Sequence, residues 1–180
     1  MEESWHEIAL GEVVEFNPSE KLPKNAVSRK ISMDKLLPYN RDIYEFEYEA
    51  YSGGSKFRNE DTIMARITPC LENGKTAFVS CLNDGEVAFG STEYIVLRQI
   101  ESRTDSKFIY YLIISPEIRQ LAIQSMVGSS GRQRVQLDVL KNHKVTLPPV
   151  EEQKKISAFL SLFDDKIALN TQINDNLPPT

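Results

Sequence analysis

The chain has 180 residues, 41% hydrophobic and 26% charged, which fits one soluble globular domain with an appended element and an ordinary core. A net charge of −5 argues against a non-specific polyanion binder, and the apolar runs fall far short of the roughly 18 residues that span a bilayer. With no secretory-type leader at the start, and only Cys70, Cys81, His6 and His143 in no zinc-ligand spacing, the expectation is a cytoplasmic protein without disulfides, metal or membrane contact.

The β-rich run Val13-Val14-Glu15-Phe16 predicts a first strand that closes at Asn17-Pro18. Residues 19–60 are polar and irregular, with Ile31-Ser32-Met33 as a short strand and Ser52-Gly53-Gly54-Ser55 as a loop. Strand-like patterns then occupy 62–68, 75–80, 86–89 and 93–98, separated by Pro69, Asn73-Gly74, Asn83-Asp84-Gly85 and Gly90; such short spacing favours antiparallel neighbours. Residues 106–114 read as a buried aromatic helix. Ser115-Pro116-Glu117 supplies an N-cap and a first-turn proline for a second helix ending near Gly128.

A short element around 137–140 and a strand at 143–147 lead to Pro148-Pro149 and a long helix from Glu151. Read as heptads, its a positions are Ile156, Phe163, Asn170 and Leu177 and its d positions Phe159, Lys166 and Ile173, with Leu160 and Ile167 widening the stripe. It would run roughly 40 Å at the helical rise. Such stripes commonly fold back on their own domain, but polar Lys166 and Asn170 at seam positions favour self-association. Because the helix start does not need the domain's core, the helix is expected to protrude. The expected architecture is α+β: a strand-rich domain with packed helices over 1–147, then a protruding coiled-coil-type helix over 148–180.

Charge is uneven along the chain. Residues 1–52 carry six Lys/Arg against eleven Asp/Glu, residues 53–145 twelve against ten, and residues 146–180 three against five. The electropositive part is therefore the middle, and within it residues 118–137 hold no carboxylate while carrying Arg119, Arg132 and Arg134. The run Gly128-Ser129-Ser130-Gly131-Arg132-Gln133-Arg134 combines glycines that let backbone approach a ligand, hydroxyls and an amide that bond with either polarity, and guanidinium forks that match phosphate oxygens or the guanine edge. The plain alternative is a flexible surface loop.

Other motifs carry no chemistry. Gly74-Lys75-Thr76 resembles the end of a phosphate-binding loop, but Pro69 stands where the upstream glycine is required; Asn73-Gly74 reads better as a hairpin turn that leaves the Lys75 amine free for a phosphate. The carboxylate pairs Glu151-Glu152 and Asp164-Asp165 lie on the long helix and read as its solvated or partner-facing side. No dinucleotide fingerprint, nucleophile elbow or zinc signature occurs.

The stretch from Asp61-Thr-Ile-Met-Ala-Arg-Ile-Thr-Pro-Cys-Leu-Glu-Asn-Gly-Lys-Thr through Phe89-Gly-Ser-Thr-Glu-Tyr-Ile-Val-Leu-Arg resembles a target recognition domain of type I restriction-modification specificity subunits. The block from Tyr110-Tyr111 to Arg134, and Leu147-Pro-Pro-Val-Glu-Glu-Gln-Lys-Lys-Ile-Ser-Ala-Phe-Leu through Asp165-Lys166-Ile167, extend the resemblance over almost the whole chain. Family members are typically two such domains separated by long antiparallel helices, so this chain is similar to a half-subunit. The resemblance implies a non-enzymatic subunit with no cofactor that selects double-stranded DNA, while modification subunits methylate adenine and restriction subunits cut. Such a half either works as a homodimer, whose two-fold pairing through the Ile156–Leu177 seam would give a split, palindromic site, or is a truncated or incomplete partner.

On this basis Arg58, Arg66 and Lys75 are expected at phosphates, Arg132, Gln133 and Arg134 at base edges, and Ser91, Thr92, Ser129 and Ser130 at either. Arg66 has a structural alternative, pairing with Glu93 or Glu72 inside the sheet. Thr68 and Tyr94 are read as structural. The rival function is a non-catalytic interaction protein whose long helix docks on a modification subunit without reading DNA.

Overall fold

The computed structural model describes residues 5–176, so the expected seam position Leu177 lies outside the described residues. The first elements are β1 (His6–Ala9), α1 (Leu10–Val13), β2 (Val14–Phe16), β3 (Val27–Ile31), β4 (Glu47–Ala50) and β5 (Lys56–Arg58). They are followed by β6 (Thr62–Ala65), β7 (Thr76–Phe78), β8 (Val87–Gly90), β9 (Tyr94–Gln99), α2 (Ser106–Ile114), α3 (Pro116–Gln124), α4 (Leu137–Asn142), β10 (Lys144–Leu147) and α5 (Val150–Asp175). This is the expected α+β fold with a long C-terminal helix.

The centre is an antiparallel sheet in the order β2-β9-β6-β7. Its two inner strands are apolar on both faces, and the two-residue period of a strand sends successive side chains to different layers. Met64, Ile95 and Leu97 enter a core with Leu10, Val13, Phe108, Ile109, Ile113, Ile118 and Leu140, the helical layer. Ile63, Tyr94 and Val96 enter a second core with Ile31, Leu36, Phe57 and Ala88, under the sheet β4-β3-β8-β5. The molecule is thus layered helix, sheet, sheet, and β1 pairs antiparallel with β10, the strand just before α5.

Several expectations change here. Short connections do not make neighbours of all four middle strands: β6 and β7 pair antiparallel, but β8 leaves for the outer sheet, parallel to β3 and antiparallel to β5. The early strand is β3, and Met33 already starts a single 3₁₀ turn rather than ending a strand. Helix α2 has the expected bounds, with Asp105 capping the Phe108 amide. Ser115 caps α3 and Pro116 opens it, but the helix stops at Gln124 because 127 and 134 pair as a bridge and pull the chain into a loop.

Helix α5 is docked, not free, over its first half. The side chains that face the domain are polar: Gln153 accepts from the Asp105 amide at 3.1 Å, Ser157 donates to the Asp105 carboxylate at 2.7 Å, and Tyr111 donates to Asp164 at 2.6 Å. Arg41 joins Asp165 at 2.7 Å and Asp42 at 2.8 Å. Asp164 and Asp165 therefore both reach groups of their own domain, Asp164 half-buried and Asp165 still exposed to solvent, and Ile156 packs on the helical-layer core. Beyond Asp165 no hydrogen bond among the described residues leaves the helix, so it is the second half that projects.

Candidate nucleic-acid interface

The 128–134 loop is fixed by main-chain bonds. Val127 and Arg134 exchange both amide bonds at 2.8–3.0 Å, the Arg132 amide donates to the Ser129 carbonyl at 3.0 Å, and the Thr68 amide donates to the Gln133 carbonyl at 3.0 Å. The Val135 amide reaches the Arg66 carbonyl at 2.9 Å, and the Arg66 amide reaches the Glu93 carbonyl at 2.9 Å. The stretches 66–68, 91–93 and 128–134 consequently form one edge. The geometry brings together Arg66, Ser91, Thr92, Ser129, Ser130, Arg132, Gln133 and Arg134.

Within that edge the arginines differ. Arg134 forms a forked pair with Glu93, its Nη2 at 2.6 Å and its Nε at 3.0 and 3.1 Å. The adjacent guanidinium holds the Glu93 carboxyl below the usual carboxylate range, against a smaller opposing effect of burial. Glu93 is further shaped by its amide, which donates to the Ser91 hydroxyl at 3.0 Å. Arg132 is exposed, and its guanidinium has no hydrogen bond or ion pair among the described residues. Arg66 likewise forms none; its Nε is buried and unpaired, and the residue lines a cleft with Thr92, Lys56 and Asn17. The expected alternative for Arg66 is thus not what forms, since Arg134 takes Glu93.

The other two cations stand apart from this edge. The Lys75 amine is not free: it donates to the Met33 carbonyl at 2.8 Å. Asn73-Gly74 is no two-residue hairpin either, because 67–73 coil through a helical turn before Gly74, at φ +73°, releases the chain into β7. Arg58 lies 3.7 Å from Glu20 in a recess shared with Glu60, Asp84 and Glu86. Tyr94 is buried between the two sheets, and Thr68 contacts Glu72 and Met126.

On α5, the stripe of seam residues is turned outward. Phe159 and Phe163 are 61% and 56% exposed, Ile167 and Ile173 are exposed, and Lys166 and Asn170 stand among them, while Leu160 is half-buried. At 3.6 residues per turn this stripe is about a third of a turn from the polar strip that docks the helix. Among the described residues there is no helix long and apolar enough to cross a membrane, and no group of three or more His, Cys, Asp or Glu positioned to hold a metal ion.

Residues 2–178 match the type I restriction modification DNA specificity domain. The chain belongs to that family. It is 30% identical over 161 residues to the type I restriction enzyme EcoAI specificity subunit of Escherichia coli, covering 86% of this chain and 27% of that one. Against the MjaVIII specificity subunit of Methanocaldococcus jannaschii it is 27% identical, covering 95% and 39%. The chain therefore spans between about a quarter and two fifths of the length of these curated relatives. The fold resembles the crystal structure of the HsdS subunit from Thermoanaerobacter tengcongensis, with a TM-score of 0.71 at 20% identity over 94% of this chain and 44% of that one. It also resembles the S subunit from M. genitalium, with a TM-score of 0.60 at 16% identity over 97% and 43%.

For this specificity domain, sequence reasoning missed the residues that seat the helix: Arg41, Asp105, Tyr111, Gln153, Ser157 and Ser161. A signal was present in the last three, small or amide side chains recurring every four residues beside the apolar stripe. It also missed that Glu93 serves Arg134, a pairing between distant segments that no local pattern encodes.

Proposed function

We propose that this chain is a DNA-reading component of a type I restriction-modification system, doing no chemistry and needing no cofactor, with methylation and cleavage carried by partner subunits. The observation that carries the proposal is the pair Arg66 and Arg132, two guanidiniums on one edge with no hydrogen bond or ion pair among the described residues, the nearby Glu93 carboxylate being bonded to Arg134 instead. Uncompensated arginine is uncommon, and a buried Nε without an acceptor costs about 1–3 kcal/mol unless a ligand supplies one. A duplex supplies phosphate oxygens for Arg66 and a guanine edge for Arg132. Arg134, committed to Glu93 through Nε and Nη2 and with Nη1 3.5 Å from the Arg132 carbonyl, then props the loop. Ser91, Thr92, Ser129, Ser130 and Gln133 fill in hydrogen bonds along the same edge.

The second part of the proposal concerns α5. Its exposed stripe supports pairing with a second such helix, or docking on a modification subunit, and these share the same apolar surface. Two identical readers related by a two-fold axis would select a split palindrome.

The test is selection from a randomised duplex pool by the full chain at moderate salt, alone and with a modification subunit, followed by a salt titration of the winner. Enrichment of one sequence with strong salt dependence is the expected result. Binding to the modification subunit with no duplex affinity in either sample would replace the proposal with the interaction-protein reading, which the exposed stripe of α5 also supports.

A further inference from the structure

Tyr39 is 70% exposed, yet it is held at every point. Its backbone is left-handed at φ +56°, its amide donates to the Gly74 carbonyl at 3.0 Å, and its hydroxyl donates to the Glu72 carbonyl at 3.2 Å. Its ring lies so close to Gly74 that a Cβ there would stand 2.6 Å from it. Arg119 completes the arrangement, with its guanidinium 5.3 Å from the ring centroid and Nη2 donating to the Tyr39 hydroxyl at 3.0 Å and the Glu72 carbonyl at 2.6 Å. This leaves Nη1 and the buried Nε without a partner among the described residues, and the guanidinium already fixed in direction.

The place of this group matters as much as its shape. The turn 67–73 carries the Arg119 contact at Glu72 and the loop contact at Thr68, whose amide meets Gln133. From Arg119, helix α3 continues to its end at Gln124 and then delivers the chain to the loop, and residues 118–137 hold no carboxylate. Five residues of helix cover about 7.5 Å, two steps or so of a duplex at roughly 3.4 Å per base pair.

We propose that Arg119, oriented by Tyr39, is a phosphate clamp that grips the DNA backbone beside the bases read by the 128–134 loop. Tyr39 is the positioning residue: it stacks on the guanidinium and accepts one of its hydrogen bonds, so that Nη1 faces outward at little entropic cost. This rests on the DNA-reading proposal above.

The experiment uses the full chain and the duplex it enriches from a randomised pool. Arg119→Gln should weaken binding to preferred and scrambled duplexes by the same factor and lower the slope of log K against log salt by about one. Gln120→Lys, on the exposed neighbour of Arg119, should do the reverse and threatens no packing. Tyr39→Phe should weaken binding less than Arg119→Gln and in the same sequence-independent way. Unchanged affinity and slope in both Arg119→Gln and Gln120→Lys would overturn the clamp while leaving the reader intact. If the unmodified chain enriches no sequence and shows no salt-dependent binding, the reader and the clamp fall together.

Discussion

Arg132 and Arg134 stand two residues apart and should respond to alanine in opposite ways. The Arg132 guanidinium has no hydrogen bond or ion pair among the described residues, so Arg132→Ala should leave stability within about 0.5 kcal/mol of the parent. On the preferred duplex the same change removes a guanidinium that reads a base, a loss of about 1–3 kcal/mol, or roughly five- to 150-fold in Kd. Preference at that base should relax. Arg134→Ala instead unmakes the fork to Glu93, leaving a half-buried carboxylate without its cation and the loop without its side-chain tether. The expected sign is a lower melting temperature where Arg132→Ala shows none. Calorimetry on both variants, with titrations against the preferred and a scrambled duplex, separates the effects. Equal weakening on every duplex by Arg132→Ala would refute base reading by this residue. An equal loss of melting temperature in the two variants would refute the account of the loop.

Phe163→Glu places a charge in the outward stripe of α5; self-association, read by sedimentation, should be lost with no change in melting temperature. If the stripe instead packed in the folded monomer, melting would fall. Asp61 is fully buried and holds Arg98 through contacts of 2.6 and 2.7 Å, with the Arg58 amide also donating to it at 2.8 Å. Asp61→Ala should therefore cost about 3 kcal/mol or more in urea denaturation, and a loss under about 1 kcal/mol would contradict the buried-pair account. The Glu93 carboxyl is held low by Arg134, so its contribution is fully present above the unfolded value of about 4.3 and is lost as pH falls through the lower folded value. Carboxyl chemical shifts should show Glu93 titrating below ordinary glutamates; titration at or above them would dissolve the pair.

Elements with strong local signals were legible in the sequence. Ser115-Pro116 marks the start of α3 to the residue, and the apolar runs of β6 and β9 announce strands buried on both faces. The strand β4 was not legible, because Glu47, Tyr48, Glu49 and Ala50 are all exposed and show no apolar alternation. Pairings across the chain were equally out of reach: β8 lies between β7 and β9 in sequence, but its partners are β3 and β5. The loop was visible through its composition and missing carboxylates. Which of the candidate cations Arg134, Lys75 and Arg58 are committed was not, since this depends on Glu93, Met33 and Glu20, residues brought in by the fold. Of the heptad stripe, Phe159, Phe163, Ile167 and Ile173 face outward, but Ile156 packs on the core, and the docking of the helix's first half rests largely on hydrogen bonds that hydrophobic periodicity does not register.

The loop that faces DNA in this proposal is anchored almost wholly by peptide groups. Its closing bridge, inner turn and two stitches to the 66–68 segment use amides and carbonyls, and only Arg134 adds a side-chain bond. The side chains at positions 129, 130, 132 and 133 make no hydrogen bond among the described residues, so these positions can change letter without disturbing the main-chain bonds that set the path. Selection acting on those four positions meets little resistance from stability, so a lineage under pressure to alter its preferred sequence has a short list of residues on which variation is cheap.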